Sequence, residues 1–569
     1  MRAGCLTLAL SMVGFNAALA QGRPSGGADA AGPPAGEYDG ESAVQEVQVR
    51  GRRMSDLEER RQSTAAKTIV GKEEIEKFGD TSLEDVLRRQ PGVTVPSGGG
   101  NPRMRGLGGA YTLILIDGQP AGQGFSIDSI PPDQVERLEI TKSPTAETGA
   151  RAVAGSINIV TRAGRQQGRQ DLRAAATASE SRRQARAGLN HTGAVLGLDA
   201  SLSGGVFREQ KSDHSRSESA EYSLDGTPLG GQQIDRSTDN TRTGLSLRAR
   251  IGQELGGGSS WFLSPVFFGS RGDTRRQTAY SPWTGAPPQL MTASDLMSSA
   301  GDSESSFYWS RVGLQVKRSV AERLRLELDL NQTQMGADGS GESQGRLLAG
   351  GLRLTDERTE MIERSSGFTL KLRRDAEQHE QVLGVEWSLA RREELRLERV
   401  DGLPSLLGSE ENVTGRSERL AWYAQNEWNP SPRWTLMTGL RQERVETSGG
   451  SVGAAPSRNV SEVTTPLVHV VFRPVPKGSD LIRLGLTRGY KAASLRDFIS
   501  APNISDRYPV QGPNSFTSPD RAGNPGLKPE LAVGVDLAFE RSLPQAGLLS
   551  ASLFARSLTD FQRRQTLLE

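Results

Sequence analysis

From residue 165 onward, apolar and polar residues alternate along the chain with a period of two. In the segment 324–331, leucine occupies every even position and a charged or amide side chain occupies every odd position. Roughly 14 to 16 segments of this kind, each about 9 to 11 residues long, match the length of tilted strands that cross a bilayer. The pattern therefore predicts a membrane all-β protein, an antiparallel transmembrane β-barrel.

The first part of the chain follows a different pattern, with helical and strand segments separated by turn residues. The predicted strands and helices are strands at 65–70, 113–116, 135–141 and 156–161, and helices at 72–78 and 83–89, the second capped by Ser82. Together they predict a small α+β domain with a mixed sheet, spanning residues 44–163.

Composition excludes several classes of protein. The hydrophobic fraction is 35% and the mean hydropathy is −0.50. After the N-terminus no apolar run approaches the roughly 20 residues of a transmembrane helix, which excludes a helical membrane protein. The 69 basic and 68 acidic residues nearly balance, which argues against a nucleic-acid partner. Dense charge of both signs suits a water-filled lumen and long solvated loops.

The N-terminus has the features of a secretory signal. Residues 1–20 combine a basic start, an apolar centre and the small-residue motif Ala18-Leu19-Ala20. Residues 21–43 are rich in Gly, Ala and Pro and predict a disordered linker. Cys5 is the only cysteine and would leave with the signal, so we expect no disulfide and no thiolate metal site.

The chain contains no convincing catalytic or metal-binding motif. Residues 449–453 match G-x-S-x-G, but a nucleophile elbow needs a strand before it and a helix after it, and here the flanks are loop-like. The four histidines do not follow metal-ligand spacing. We therefore expect a protein that is not an enzyme and holds no cofactor.

Aromatic residues cluster near the ends of the predicted strands. Such residues are typical of the interfacial girdles of membrane barrels. The set comprises Trp261, Phe262, Phe307, Tyr308, Trp309, Trp422, Tyr423, Trp428 and Trp434.

Seven motifs in combination resemble the TonB-dependent outer-membrane receptors. In the first domain they are LEDVLRRQPGV (83–93), RMRGLG (103–108), LILIDGQP (113–120), VERLEITKSP (135–144) and GSINIVTR (155–162). In the alternating region they are GYKAASLRDF (489–498) and NPGLKPE (524–530). The resemblance implies a plug domain at 51–163, folded inside the lumen of a barrel that begins at residue 164.

Barrels of this family have about 22 strands, several more than this chain provides. The chain extends about 40 residues beyond NPGLKPE, which leaves roughly six strands missing. An unclosed barrel would leave two unpaired strand edges in lipid, which is costly. We therefore expect residues 164–569 to be an incomplete barrel and the chain to be a truncated form of a longer receptor. The alternative is a smaller closed barrel of about 16 strands.

The resemblance also implies a TonB box at 44–50, a short extended segment that adds a strand to the energy-transducing protein TonB. The expected TonB-binding residues are Glu46, Val47, Gln48, Val49 and Arg50. The alternative is that this segment is an ordinary first strand of the plug.

Plug arginines of the family pair with barrel glutamates and hold the plug in place. Arg105 and Arg151 occupy such positions, and Glu427 and Glu443 are the expected partners, with Glu386 as a rival. The alternative is that both arginines are simply solvated.

The function implied is TonB-dependent import of a scarce nutrient, most often a ferric siderophore, across the outer membrane of a Gram-negative bacterium. Asn101, Arg103 and Tyr111 on the Gly-rich plug loops are the candidate ligand contacts. Cobalamin, an oligosaccharide or a peptide are alternative ligands. Haem is disfavoured, because Tyr111 is the one phenol near the expected site and no histidine lies in the plug. A passive porin or a surface-interaction barrel is the alternative from another class.

Overall fold

The structure, a computed structural model, describes residues 56–563 except for 79, 81, 97–100, 122–126, 128–129, 131, 162–167, 223–224, 283–295, 405–409, 452–455, 477, 494–523, 525 and 544–546. The predicted signal, linker and TonB box lie outside the described residues. No helix within the described part is both long and apolar enough to span a membrane.

The described residues of the N-terminal domain, called the plug below, form three short α-helices and a five-stranded mixed sheet. The helices are α1 Asp56–Gln62, α2 Lys72–Lys77 and α3 Leu83–Arg88. The strands are β1 Lys67–Gly71, β2 Val93–Thr94, β3 Arg103–Met104, β4 Thr112–Ile116, β5 Gln119–Pro120, β6 Val135–Thr141 and β7 Gly155–Thr161. The sheet order is β1-β6-β7-β4-β5, with β4 and β7 parallel, and β2 pairs with β3.

Local sequence explains why these elements form. Ser82 caps α3, since its hydroxyl accepts the backbone N–H of Asp85 at 3.2 Å. The apolar residues of α3 face the sheet, and Leu83 and Leu87 are completely buried beside Leu138 of β6. The four longer strands and the two later helices of the plug confirm the sequence prediction within a few residues, whereas α1 was not predicted.

The rest of the chain forms one antiparallel sheet of long strands that encloses the plug. Its strands are β8 Arg169–Ala178, β9 Arg182–Val195, β10 Leu198–Tyr222, β11 Pro228–Gly256, β12 Ser259–Pro282, β13 Leu296–Ala321, β14 Leu324–Leu347, β15 Leu352–Asp375, β16 His379–Val400, β17 Leu403–Pro404, β18 Glu410–Ser431, β19 Trp434–Ser451, β20 Ser457–Phe472, β21 Asp480–Lys491, β22 Glu530–Ser542 and β23 Leu548–Thr559.

Each long strand pairs with its neighbour in sequence, and the two-residue β17 pairs only with β16. Among the described residues, β8 and β23 are the two edge strands. In the described part of the chain, fifteen long strands and one short strand confirm the predicted antiparallel barrel and its count of spans. Connections at one end, such as 196–197 and 322–323, are very short. We call this the short-turn end.

Alternate residues of each barrel strand face opposite surroundings. In β21, Leu484 and Leu486 are 39% and 47% exposed, whereas the intervening Gly485 and the flanking Arg483 are buried. Apolar side chains therefore point outward from the barrel and polar ones point toward the plug, as a lipid-facing wall requires. This is the physical origin of the period of two.

The aromatic residues divide into two groups, and one part of the girdle prediction was wrong. Trp428 and Trp434 lie beside a short turn and are exposed, as a girdle requires. In contrast, Trp309 and Tyr423 are 3% and 1% exposed and face inward at the middle of their strands. Strand parity places them there, since Trp309 is level with Phe268 and Met335 on the inner face.

We predict that Leu138→Ala loosens the plug selectively. Leu138 is fully buried in the plug core, and removing such a side chain costs about 2–5 kcal/mol. Backbone amides of β6 and β7 should therefore exchange with deuterium at least ~10-fold faster in the detergent-solubilised protein. The control Leu484→Ala truncates an outward-facing side chain and should leave these amides unchanged. Equal exchange in wild type and Leu138→Ala would contradict the assigned plug core.

Candidate functional site

The loop of residues 143–151, between β6 and β7, is held to the barrel wall by many contacts. Six barrel strands, β15 and β18 to β22, supply partners to it. We call this set of contacts the loop seat. Because these contacts come from six different strands, the position of the loop depends on the arrangement of a large part of the barrel wall.

Much of the loop seat involves backbone atoms. The Ala146 carbonyl accepts a hydrogen bond from Arg441 at 3.0 Å, and its N–H donates to Gln425 at 3.1 Å. The Ala150 carbonyl accepts the backbone N–H of Tyr490 at 3.0 Å. Gly489 permits this approach, since a Cβ there would lie 2.8 Å from that carbonyl oxygen. Backbone hydrogen bonds therefore hold the loop, in addition to the contacts of its side chains.

One plug carboxylate completes the loop seat. Glu147 lies 3.0 Å from Lys371 and 3.0 Å from Arg373, both on the inner face of β15. Burial opposes the charge of Glu147, but the two cations outweigh it and hold the pKa of this carboxyl below its usual range. Glu147 is therefore ionised at neutral pH and attracts the barrel wall.

Next to the loop seat, charged barrel residues form a buried cluster. Arg441 is 1% exposed and lies 2.6 Å from Glu386 and 2.5 Å from Glu443. Arg419 lies 3.0 Å from Glu386, and the Tyr490 hydroxyl donates to Glu443 at 2.6 Å. This pairing offsets the cost of burying the charges and fixes the guanidinium that holds the Ala146 carbonyl.

Arg151 lies beside this cluster. Burial lowers the pKa of Arg151, and the charges of Arg419 and Arg441 act in the same direction, while Glu443 and Tyr490 oppose them. The structure thus brings Arg151 near the expected partner Glu443. Within the described part of the chain, however, the ion pairs of Glu443 are with Arg441 and Arg419.

Arg105 contacts a different carboxylate from the two expected. It pairs with Asp536 of β22 at 2.6 Å, and its guanidinium lies 5.1 Å from the ring centre of Phe554. Burial lowers the pKa of Arg105 to about 10 although Asp536 favours the charged form. Asp536 also accepts a hydrogen bond from Ser143 at 2.7 Å and pairs with Arg556 at 2.8 Å, which joins Arg105 to the loop seat.

Glu427 contacts the beginning of the plug instead of an arginine. It accepts a hydrogen bond from the hydroxyl of Thr64 at 2.6 Å. Nearby, Arg60 of α1 pairs with Glu540 at 3.0 Å, and Arg483 donates to the backbone carbonyl of Arg60 at 2.7 Å. These contacts, called the α1 clamp below, hold the first described residues of the plug to the wall near the short-turn end.

The three candidate ligand contacts have different surroundings. Asn101 and Arg103 are exposed. Tyr111 is buried, donates its hydroxyl hydrogen bond to Glu530, and has the Lys491 ammonium 5.1 Å from its ring centre. Burial and the Glu530 carboxylate raise the pKa of Tyr111. Tyr111 therefore joins plug to barrel, while Asn101 and Arg103 remain accessible.

Several residues of the site were not predicted from the sequence, among them Glu147, Lys371, Arg373, Arg441 and Asp536. A signal existed for Arg441, since residues two apart in a strand share a face and Arg441 precedes the recognised Glu443 by two positions. No comparable signal marks Glu147, because its partners lie more than 200 positions away.

We predict that Glu147→Gln lowers the melting temperature of the plug at pH 7. The change removes a carboxylate from two half-buried cations, a loss of about 1–3 kcal/mol. Because the folded-state pKa of Glu147 lies below that of the unfolded chain, its stabilisation is complete at neutral pH and is lost as the pH falls through the lowered pKa. Calorimetry should therefore show a wild-type advantage at pH 7 that shrinks progressively as the pH falls below about 4.

The matched control is Glu446→Gln, which removes an exposed ion pair with Arg458 at 2.8 Å, away from the plug. This control should change the melting temperature little at any pH. A constant difference between wild type and Glu147→Gln from pH 3 to 8 would show that Glu147 does not act through its charge.

Curated relatives match the chain over short segments. The chain is 39% identical over 106 residues to the vitamin B12 transporter BtuB of Vibrio vulnificus, and 36% identical over 117 residues to an iron-regulated outer membrane virulence protein of Vibrio cholerae. These alignments cover 17% and 18% of this chain and 18% of the length of each relative.

Solved structures match over most of the chain at low identity. The unliganded ferric citrate transporter FecA superposes with a TM-score of 0.60 at 16% identity, covering 88% of this chain and 71% of that one. The siderophore receptor PiuA of Acinetobacter baumannii gives 0.55 at 16% identity, covering 86% and 72%. At this identity the likeness establishes the fold, a barrel with a plug.

Two family models match separate parts of the chain. The TonB-dependent receptor plug domain matches residues 59–156, and the TonB dependent receptor-like beta-barrel matches residues 321–568. The two matches together cover more than half of the chain, and they fall on the domain and the barrel that the structure shows. The chain belongs to the TonB-dependent receptors.

Proposed function

We propose that this chain imports a ferric siderophore across the outer membrane of a Gram-negative bacterium, driven by the TonB protein. The ligand binds from the outside to exposed plug and barrel residues, and TonB binds Glu46 to Arg50 on the periplasmic side. The observation that carries the proposal is the polar nature of the contact between plug and barrel.

A transporter plug must be held firmly and yet be able to move. Apolar plug–barrel packing also exists, since Trp309 and Met335 join the plug core and two alanines of the loop 143–151 pack in apolar clusters with barrel residues. The directed contacts of the loop seat and the α1 clamp, however, are hydrogen bonds and ion pairs. Water can replace such partners inside a wet lumen, whereas exposing apolar surface would cost about 25 cal/mol per Å². The contact therefore favours a plug that shifts and returns.

The position of α1 supports coupling from the periplasm. Short turns of outer-membrane barrels lie on the periplasmic side, and the α1 clamp lies near the short-turn end, where Arg61 donates to Ser542 and to the Gly478 carbonyl. The segment 44–50 precedes α1 by only a few residues. An extended segment leaving from this end can add a strand to a periplasmic partner.

The class of ligand is inferred from the similar proteins and from one exposed plug arginine. Similar solved structures include a ferric citrate transporter and siderophore receptors, which favours a ferric chelate. The short alignment with a vitamin B12 transporter makes cobalamin the second candidate. Arg103 is exposed and can attract an anionic chelate by charge-assisted hydrogen bonds.

We predict that deleting residues 44–50 abolishes energy-dependent uptake while surface expression and ligand binding persist. The reason is that the deletion removes the expected TonB contact and leaves every described contact of the plug intact. Growth of an iron-starved host on a panel of ferric chelates, together with uptake of radioactive iron, measures the effect. Deleting residues 30–36 of the linker is the matched control and should preserve uptake. Undiminished uptake without 44–50 would instead indicate a passive pore.

A further inference from the structure

Three arginines lie side by side on neighbouring strands of the barrel. Arg364 of β15 lies directly opposite Arg391 of β16, which in turn lies directly opposite Arg416 of β18. All three side chains are exposed. Residues in such positions have Cβ atoms about 4.5–5.5 Å apart, and like charges there repel each other. These residues, called the arginine row below, therefore destabilise the wall unless an anion lies between them.

The arginine row faces away from the plug. On β16, Arg391 is separated by an even number of positions from Leu383, an exposed residue of the outer face. On β18, Arg416 has the same relation to the exposed Leu420. Arg364 shares their face, because directly opposite residues of paired strands point to the same side. The row therefore belongs to the surface that faces the membrane, and not to the lumen.

Carboxylates close to the row compensate only part of its charge. Within the described part of the chain, Arg364 and Arg391 form no ion pair and no hydrogen bond. Arg416 pairs with Glu418 at 2.8 Å. The other carboxylate within two positions of a row arginine on its own strand is that of Glu393. Three guanidinium groups thus accompany two carboxylates, and the row keeps a net positive charge.

The height of the row matches the boundary of the lipid-facing band. Below Arg391, the outer face of β16 carries Leu383, Val385, Trp387 and Leu389. The distance from Leu383 to Arg391 is about 26 Å along the strand at about 3.3 Å per residue, or about 20 Å in height at a tilt near 40°. The apolar band of such barrels is about 25 Å tall. The row therefore lies where lipid head groups begin.

Two further observations define this boundary. The indole N–H of Trp387 donates to Glu418 at 2.9 Å, and tryptophan is typical of the interface between lipid tails and head groups. Strand β16 begins beside the short turn at 376–378, so Arg391 lies at the opposite end of the band. Because short turns of outer-membrane barrels face the periplasm, the row lies at the level of the outer leaflet.

Neutral hydrogen-bonding side chains extend the row at both ends. Gln334 of β14 lies opposite Arg364, and Ser448 of β19 lies opposite Arg416. A phosphate group accepts several hydrogen bonds at once, and the planar guanidinium group matches it with two parallel donors. Five adjacent strands thus present a strip of donors that is suited to more than one phosphate group.

We propose that the arginine row binds the phosphate groups of a lipid in the outer leaflet, and prefers a lipid that carries two phosphates to one that carries a single phosphate. Each phosphate that lies between two guanidinium groups replaces their repulsion by attraction. The acyl chains pack along the exposed apolar side chains below the row, such as Leu420. A free phosphate ion would lack this second contact. The proposed site lies outside the lumen and does not depend on the proposed import function.

The test measures lipid binding to the purified full chain in a neutral detergent by native mass spectrometry. The probes are diphosphoryl lipid A, monophosphoryl lipid A with the same acyl chains, and inorganic phosphate. We expect wild type to bind the diphosphoryl lipid most tightly. The double variant Arg364→Gln/Arg391→Gln should weaken that binding about tenfold or more, since each basic side chain near an anionic lipid surface contributes about fivefold.

The matched control is Arg271→Gln/Arg275→Gln. It removes the same charge from two exposed arginines of β12, which are paired with Glu304 and Asp302. Because these arginines already have partners on the neighbouring strand, this control should change lipid binding by less than twofold.

Two further measurements separate binding from a purely structural role. Without lipid, Arg364→Gln/Arg391→Gln should melt at the same temperature as wild type or higher, because the variant removes repulsion between like charges. Diphosphoryl lipid A should raise the melting temperature of wild type more than that of the variant. The double variant Arg364→Lys/Arg391→Lys keeps the charge and should bind the lipid more tightly than the glutamine variant. Normal heat-modifiable mobility on gels establishes that each variant is folded.

Equal weakening of lipid binding in the glutamine variant and in the β12 control, or no weakening in either, would overturn the proposed site. Equal affinity of wild type for the two lipids would overturn it as well. Displacement of the bound lipid by millimolar inorganic phosphate, without an effect of chloride at equal ionic strength, would identify a site for a free anion instead. Because no uptake is measured, failure of the import function would leave these results unchanged.

Discussion

The arrangement of the whole molecule depends on pairing the charges that the plug covers. A charge removed from water is costly unless a partner of opposite sign and good geometry is close. Arg441 shows how this constraint is met, because it is held between Glu386 and Glu443 and also donates a hydrogen bond to the carbonyl of Ala146. The plug is thus positioned by side chains that are themselves fixed within the wall.

Contacts of this kind hold the plug in the barrel while it remains a separate domain. The core of the plug is apolar and closed, with Leu83, Leu138 and Ile157 fully buried, whereas its attachment to the barrel includes many hydrogen bonds and ion pairs. The plug can therefore keep its own fold when attachments exchange for water, which a purely apolar contact would oppose. The proposed transport cycle requires this difference between the apolar core of the plug and its polar contacts with the barrel wall.

The sequence predicts local structure well and long-range partners poorly. Alternation specified the barrel strands because it depends only on neighbouring residues, and capping by Ser82 specified α3 for the same reason. The partner of Arg105 could not be found this way. It is set by how the plug sits within the barrel, which brings together residues as distant as Tyr111 and Glu530, 419 positions apart. The inward-facing Trp309 illustrates the same limit. Its position in the strand decides whether it faces the plug or the lipid, and its aromatic character does not.

Helix α1 was not predicted from the sequence. In the proposed mechanism it lies between the segment that TonB binds and the sheet of the plug. Arg483 donates to the carbonyls of Arg60 and Ser63, and Arg473 donates to that of Arg61, so α1 is bonded to the wall through its backbone. Within the plug, Glu59 of α1 pairs with Lys67 of β1 at 3.2 Å. In the proposed transport cycle, a pull on residues 44–50 reaches α1 before the sheet because α1 comes first along the chain. On this proposal the contacts of the α1 clamp open before the loop seat is strained.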